Sequence, residues 1–171
     1  AEEAEAADGM LIEVDLEGRA AIVTGATSGL GRETASELAR LGATVTLVGR
    51  NPEKTERVAQ EIRQHTASSK VGTAIADLSS MAEVRALAGR IDAPIHLLVN
   101  NAGVLLPERS ETDEGIESTL ATNLLGHFLL TNLLVDKLER PARIINVSSG
   151  GMYSQRIQVD DLQMKQGRYD G

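Results

Sequence analysis

Apolar and polar residues alternate along the chain in blocks that switch between the periods of strands and helices. Five short apolar runs have the length and β-branched content of buried parallel strands. The stretches between them repeat apolar residues every three or four positions, as amphipathic helices do. The predicted strands are 20–24, 44–48, 71–76, 95–99 and 143–147, and the predicted helices are 29–41, 52–65, 80–90 and 113–138.

Several residues mark where these helices begin and end. Asn51 stands before Pro52, so we expect Asn51 to cap the second helix, with proline at its first position. Ser79 or Ser80 is expected to cap the third helix. Gly42 follows the last periodic residue of the first helix. The fourth pattern is long enough to break into two helices, and Pro141 is expected to end it.

Strands and helical stretches therefore alternate along the chain, which predicts an α/β fold with a doubly wound parallel sheet. The expected strand order is 3-2-1-4-5, with right-handed crossovers. Ligands of such sheets bind outside the carboxyl ends of the strands, where the strand order reverses. Residues 11–171 are predicted to form this domain. The acidic tail at 1–10 is expected to be disordered.

Composition excludes several classes of function. The chain has 171 residues with a net charge of −8, which argues against a nucleic-acid partner. It has no cysteine, and its three histidines are far apart, so no metal site is predicted. No run approaches the roughly 18 apolar residues of a membrane helix, and no secretory signal is visible. We therefore expect a cytoplasmic protein without a membrane segment.

The strongest candidate for chemistry is the glycine-rich turn Thr24–Gly31, between the first strand and the first helix. In such a turn a phosphate meets free backbone N–H groups and the positive end of a helix dipole. Gly25 permits a tight turn, and Gly29 and Gly31 remove side chains where a pyrophosphate and the helix come close. Taken alone, these glycines fit an ordinary strand–helix turn equally well. The spacing excludes a P-loop, because Leu30 stands where its second glycine would be.

Four motifs stand in order along the chain: Thr24–Gly31, Asp77-Leu78, Asn100-Asn101-Ala102-Gly103, and Asn123 followed by the strand Ile144–Ser149. Together they resemble the short-chain dehydrogenase/reductase family, and they span nearly all of 19–151. The segment after the last predicted strand is similar to the retinol-dehydrogenase-like branch. The resemblance implies a Rossmann domain in a nicotinamide-dependent oxidoreductase that interconverts an alcohol and a ketone or aldehyde. It also implies a small-molecule substrate and a homo-oligomer when the protein is complete.

The resemblance also implies roles for individual residues. Asp77 would bond the adenine amino group, with Leu78 on the ring, and Asn100 would brace the strands. Asn123 would hold a water in a proton relay, and Ser149 would bond the substrate carbonyl oxygen. The residues alone leave open that Asp77 and Asn123 are helix caps or turn residues. The candidate cofactor-binding residues are Gly25, Thr27, Ser28, Gly29, Leu30, Gly31, Arg50, Asp77, Leu78, Asn101, Ala102 and Gly103, and the candidate catalytic residues are Asn123 and Ser149.

The end of the second predicted strand bears on the choice of cofactor. Enzymes that use NAD carry an acidic residue there to hold both ribose hydroxyls. This chain has Gly49 at that position, followed by Arg50, whose guanidinium can pair with a 2′-phosphate. We therefore predict a preference for NADP(H) over NAD(H), with Ser28 or Arg32 as possible helpers. The alternative is that Arg50 is a solvated residue before a helix.

The chain departs from the family pattern where a general acid is needed. The family uses the tyrosine of a Tyr-x-x-x-Lys motif, but Tyr153 is followed by Ile157, and Tyr169 has no residue four positions on. We expect the chain to stop short of its acid, with the family's last helix and strands missing and the fifth strand left as an apolar edge. Alone it would turn over no substrate. The rival hypothesis is a non-catalytic dinucleotide-binding sensor or scaffold, which would need neither Asn123 nor Ser149.

Overall fold

The computed structural model describes residues 14–92, 94–153, 156–166 and 169. Within them the chain forms a five-stranded parallel sheet in the order β3-β2-β1-β4-β5, which confirms the predicted fold class and strand order. The predicted tail at 1–10 lies outside the described residues. The strands are β1 Ala20–Thr24, β2 Thr44–Gly49, β3 Val71–Ile75, β4 Ile95–Asn100 and β5 Leu138–Asn146.

Helices cover the two faces of this sheet. One long helical segment, Ser118–Lys137, is divided by a π-helical turn at Ala121–Leu125 and ends in a 3₁₀ turn at Val135–Lys137. Two further 3₁₀ turns lie at Gly150–Tyr153 and Val159–Asp161. The α-helices are α1 Gly29–Arg40, α2 Pro52–Thr66, α3 Met81–Arg90, α4 Ser118–Leu120 and α5 Gly126–Leu134.

Alternate residues of each strand point to opposite faces, so the sheet has a core on each side. Val23 of β1 is buried with the apolar residues of α1 and α2. The preceding residue, Ile22, is buried with those of α3 and α5. Apolar runs in the central strands are therefore continuous, since both of their faces are covered.

Capping side chains fix the starts of two helices as predicted. The Asn51 Oδ1 atom accepts a hydrogen bond from the Lys54 N–H at 2.7 Å, with Pro52 at the first helical position. Ser80, not Ser79, caps α3, and its Oγ accepts from the Glu83 N–H at 3.3 Å. The helix α1 differs, because its N-cap Ser28 makes no side-chain capping bond and its first turn has no acidic residue.

Two predicted boundaries were wrong. The fourth helix begins at Ser118 instead of 113, because Gly115 has a φ of 75° in a turn that precedes it. It ends at Lys137, and Pro141 lies inside β5 instead of stopping the helix. Proline is tolerated there because β5 is the edge strand of the described sheet and its register with β4 is irregular near Ile95. The strand therefore begins five residues before the predicted start at 143.

The edge strand β5 carries apolar side chains that remain exposed, as expected. Ile144 and Ile145 are 38% and 44% exposed although they point to opposite faces of the sheet. The described helices thus cover β5 incompletely.

The segment Ser118–Lys137 requires a correction to the expectation that no apolar run is long enough for a membrane. By length and composition alone it passes that test. Such a result is weak evidence, because core helices pass the same test. Leu130 and Leu134 of this segment are fully buried in the core against the sheet. Leu124 and Phe128 are 54% and 66% exposed, and 33% of the apolar window is buried in all.

Candidate functional site

The carboxyl ends of the first four strands meet around one cavity of about 580 Å³. This is the place where doubly wound sheets bind their ligands. It brings together all the candidate cofactor residues except Gly29. The cavity is lined by Gly25, Thr27, Ser28, Leu30, Gly31, Val48, Gly49, Arg50, Asn51, Lys54, Ala76, Asp77, Leu78, Asn101, Ala102, Gly103, Val104 and Thr122.

Two glycines of the turn allow close approach of main chains. A Cβ atom on Gly25, which has a φ of 64°, would lie 2.7 Å from the Ala102 Cα. A Cβ atom on Gly31 would lie 2.5 Å from the Gly25 carbonyl oxygen and would also meet the Asn101 side chain. Gly29 has a φ of 52° and no neighbour within 4 Å of such an atom. Gly31 is thus needed where α1 packs against the turn, and Gly29 for its left-handed backbone.

The Thr24 hydroxyl joins the glycine turn to the segment after β4. Its Oγ1 atom accepts hydrogen bonds from the N–H groups of Asn101 at 2.9 Å and Ala102 at 3.0 Å. The Asn101 side-chain amide donates in return to the Thr24 carbonyl oxygen at 2.9 Å. The buried Nε2 atom of His127 lies 3.0 Å from Thr24 Oγ1. Sequence reasoning missed both Thr24 and His127 as contributors to this junction.

Asp77 and Leu78 both line the cavity and both have structural contacts. Asp77 Oδ1 accepts hydrogen bonds from the N–H and the hydroxyl of Ser79, at 2.8 Å and 2.7 Å. Asp77 is therefore a turn residue, the alternative that the residues had left open, and it faces the cavity as well. Leu78 is buried in the core beneath α3 and α5.

Two cationic residues stand at the β2 end of the cavity. Arg50 follows β2, and Lys54 lies in the first turn of α2. A Cβ atom on Gly49 would contact the buried Thr55 hydroxyl and would come within 2.8 Å of Thr27 Cγ2. Packing thus excludes any side chain at Gly49 unless its neighbours move. Lys54 was missed by sequence reasoning, since its place at the cavity depends on how the fold sets α2 at the end of β2.

Arg32, named as a possible helper, lies elsewhere. Its guanidinium pairs with Glu61 at 3.2 Å, and it does not line the cavity. Ser28, the other possible helper, does line it.

Asn123 lies in the π-helical turn and holds the chain that borders the cavity. Its Oδ1 accepts from the Val104 N–H at 2.8 Å, and its Nδ2 donates to the Val104 carbonyl oxygen at 2.8 Å. Both polar atoms of this side chain are therefore bonded to one residue of the main chain. π-Helical turns are frequent at functional sites. The predicted role in a proton relay stays a prediction.

Asn100 and Ser149 stand at the same edge of the sheet. Asn100 is buried, and its Nδ2 donates to Thr131 Oγ1 at 3.0 Å and to Asn146 Oδ1 at 2.8 Å, so it does brace β4, β5 and α5. Ser149 follows β5, is exposed, and accepts from the Gly151 N–H at 3.2 Å. It does not line the cavity, and its bond to a carbonyl oxygen stays a prediction.

The two tyrosines differ in their contacts and exposure. The Tyr169 hydroxyl donates to Glu117 Oε1 at 3.1 Å and lies 2.7 Å from Thr119 Oγ1. Burial, together with the neighbouring Glu117 carboxylate, raises the pKa of Tyr169 above its usual value. Tyr153 is 90% exposed. In the described residues no group of histidine and carboxylate side chains is arranged to hold a metal ion.

The sequence profile described as short chain dehydrogenase matches residues 19–159. The chain belongs to the short chain dehydrogenase family. The parallel sheet with the order β3-β2-β1-β4-β5 is the Rossmann-type arrangement and agrees with that membership.

Curated relatives confirm the retinol-dehydrogenase-like branch. Mouse retinol dehydrogenase 11 is 45% identical over 155 residues, covering 88% of this chain and 49% of that protein. Human polyprenol dehydrogenase is 42% identical over 154 residues, covering 85% of this chain and 47% of that protein. The chain thus spans about half the length of the curated relatives it matches.

Several solved structures share the fold. An uncharacterized protein from Mycobacterium paratuberculosis superposes with a TM-score of 0.83 at 38% identity, over 91% of this chain and 55% of that one. A short chain dehydrogenase from Escherichia coli CFT073, complexed with NADPH, superposes with a TM-score of 0.73 at 29% identity, over 88% of this chain and 67% of that one. Pseudomonas aeruginosa RhlG, in an active-site complex with NADP, superposes with a TM-score of 0.68 at 32% identity, over 82% of this chain and 58% of that one.

Proposed function

We propose that this protein uses NADP(H) to interconvert an alcohol and a ketone or aldehyde by hydride transfer. The observation that carries the proposal is the β2 end of the cavity. Arg50 and Lys54 stand there, beside a glycine that has no room for the acidic residue of an NAD enzyme. Two cations favour a 2′-phosphate, which an acidic side chain would repel.

The residues present fit a dinucleotide along the rest of the cavity. Gly25 and Gly31 leave a cradle that a Cβ atom would fill. The N-terminus of α1 has no side-chain cap, so its N–H groups are suited to a pyrophosphate. Asp77 and Leu78 would contact the adenine, and Asn101–Gly103 the adenosine and ribose.

The reacting end would lie beyond Gly103, toward Asn123 and Ser149. The bound nicotinamide would supply or accept the hydride. Ser149 would donate its hydroxyl to the substrate oxygen, where negative charge develops during reduction. Asn123 would keep Val104 in place beside that region through its two bonds to the Val104 main chain.

Tyr169 is poorly suited to supply the proton. Tyr169 is engaged with Glu117 and Thr119, and its raised pKa makes it a poorer acid. We propose that this chain binds cofactor but does not turn over substrate unless it continues to the length of its relatives. Loss of a general acid costs about 10²–10⁴ in rate. A cytoplasmic location and a homo-oligomer of the complete protein stay predictions.

The affinity test compares three single variants by calorimetric titration with NADPH and NADH. A charge-assisted hydrogen bond contributes roughly 1.5–3 kcal/mol. Arg50→Ala should therefore weaken NADPH binding about ten- to a hundredfold. Lys54→Ala should weaken it less, and NADH affinity should change little in either variant. Arg32→Ala is the matched control, because Arg32 pairs with Glu61 outside the cavity. Equal losses for both cofactors would show that Arg50 does not contact the phosphate.

The turnover test follows NADPH absorbance with this chain and with one continued to the relatives' length. The panel should include retinoid and polyprenoid alcohols and their carbonyl forms, because the relatives are named for retinol and polyprenol. We expect activity only in the longer chain. Activity in the short chain that disappears in Tyr169→Phe would show that the acid is misplaced. Inactivity of the longer chain on every compound would favour the non-catalytic binding module.

A further inference from the structure

The contacts of the Thr24 hydroxyl reach beyond the cavity to a buried histidine. His127 is 8% exposed, at the start of α5. Its Nε2 atom is 3.0 Å from Thr24 Oγ1, and its Nδ1 atom is 3.4 Å from the carbonyl oxygen of Asn123. One imidazole thus joins the end of β1 to the π-helical turn. His127 itself does not line the cavity.

The partners of the imidazole determine which of its nitrogens carries the proton. A carbonyl oxygen can only accept, so the contact with Asn123 requires the hydrogen on Nδ1. In a neutral imidazole the Nε2 atom then accepts, and Thr24 must be the donor. Burial lowers the pKa of His127, which favours the neutral form. The His127 ring is therefore assigned as the Nδ1–H tautomer.

This assignment satisfies every hydrogen-bonding site of the Thr24 hydroxyl. Its hydrogen points to His127, and its two lone pairs accept from the N–H groups of Asn101 and Ala102. Without the imidazole the nearest alternative acceptor is the Val99 carbonyl oxygen at 3.3 Å, a longer contact.

Those two N–H groups belong to the wall of the cavity. Asn101 and Ala102 both line it, and the Ala102 main chain lies directly against Gly25. We propose that His127 is a positioning residue for the cofactor site, which acts through the Thr24 hydroxyl to hold the Asn101–Ala102 main chain against the glycine turn. The proposal rests on the proposed function, in which a dinucleotide occupies this cavity.

The binding test compares two substitutions of the histidine in the chain as it stands. His127→Leu fills the buried volume but accepts no hydrogen bond, and it should weaken NADPH binding three- to tenfold. His127→Gln retains a polar group within reach of Thr24, and it should restore the affinity to within twofold of the original. Leu134→Ala is the control, because Leu134 is buried on the same helix and away from the cavity. It should lower the unfolding midpoint at least as much as His127→Leu does, yet leave NADPH affinity within twofold.

Unchanged affinity in His127→Leu would overturn the proposal. So would an equal loss of affinity in Leu134→Ala, which would show that the effect follows stability alone.

A second measurement needs no cofactor and separates the two proposals. Nitrogen NMR of the His127 ring should show a protonated Nδ1 and an unprotonated Nε2. Amide hydrogen exchange at Asn101 and Ala102 should be at least threefold faster in His127→Leu than in His127→Gln. If the unsubstituted chain binds no NADPH, the proposed function fails while these readouts still test His127. An Nε2–H tautomer, or equal exchange in both variants, would refute the positioning role.

Discussion

Substitution of Gly49 tests why the end of β2 carries no acidic side chain. A Cβ atom there would meet the Thr55 hydroxyl and would approach Thr27 Cγ2 to 2.8 Å. Thr55 has no room to withdraw, because it is fully buried and donates from Oγ1 to the Asn51 carbonyl oxygen at 2.7 Å. We therefore expect Gly49→Ala to lower the free energy of unfolding, and to lower it less when Thr55→Ala is present as well.

The magnitudes follow from these contacts. Overpacking costs about 1–3 kcal/mol, and replacing glycine within a strand returns about 0.5–1 kcal/mol. The midpoints of these ranges predict that Gly49→Ala lowers the free energy of unfolding by roughly 1 kcal/mol. Thr55→Ala loses one hydrogen bond, worth about 0.5–1.5 kcal/mol, and one methyl group. The double variant has lost the clashing hydroxyl. Its free energy of unfolding should therefore exceed the additive expectation by about 1 kcal/mol, within the usual range for residues in contact.

Urea denaturation of the four proteins, followed by circular dichroism, measures this coupling. Equal slopes against urea are needed for the comparison. Additivity of the two substitutions within about 0.5 kcal/mol would refute the packing argument. If the coupling is found, Gly49→Asp combined with Thr55→Ala is the variant in which a gain of NADH affinity should be sought.

Two further predictions concern stability. Glu117 Oε1 and Oε2 accept from the N–H groups of Thr119 and Leu120 at 2.7 Å and 2.6 Å, so Glu117→Ala should cost about 0.5–2 kcal/mol in urea denaturation, and Glu117→Gln clearly less. Equal losses would contradict a capping role. Because burial lowers the pKa of His127 in the folded state, the unfolded chain binds more protons as the pH falls through about 6.5. As the pH is lowered, the free energy of unfolding of the chain should therefore fall relative to that of His127→Gln, by at most about 1.4 kcal/mol per pH unit. If the difference between the two free energies stays constant from pH 7.5 to 5, the prediction is wrong.

The sequence predicted the first four strands closely because each is a continuous apolar run. That pattern follows from burial on both faces of a parallel sheet. The start of β5 could not be predicted in this way, since Leu138–Pro141 is mostly polar and lies at the sheet edge. The start of the fourth helix was misplaced for another reason. Glu114 resembles a residue of a helical first turn, but its carboxylate accepts from the N–H groups of Met81 and Ala82 at the start of α3.

The candidate site divides in the same way between local and tertiary determinants. Gly25 could be found because a tight turn at a strand end demands glycine, and Asn101 because its motif resembles that of a known family. Lys54 and His127 could not, since their relevance depends on what the fold brings beside them. Yet the contact that aligns the two motifs runs through Thr24, the first residue of the glycine turn, and it needs an acceptor from α5. In the proposed function the glycine motif would position the cofactor phosphates, and α5 would hold the opposing Asn101–Ala102 main chain through His127. Substitutions of the glycines should then alter NADPH binding directly. Substitutions of His127 should alter it by loosening the main chain at Asn101 and Ala102, which faster amide hydrogen exchange at these residues would report.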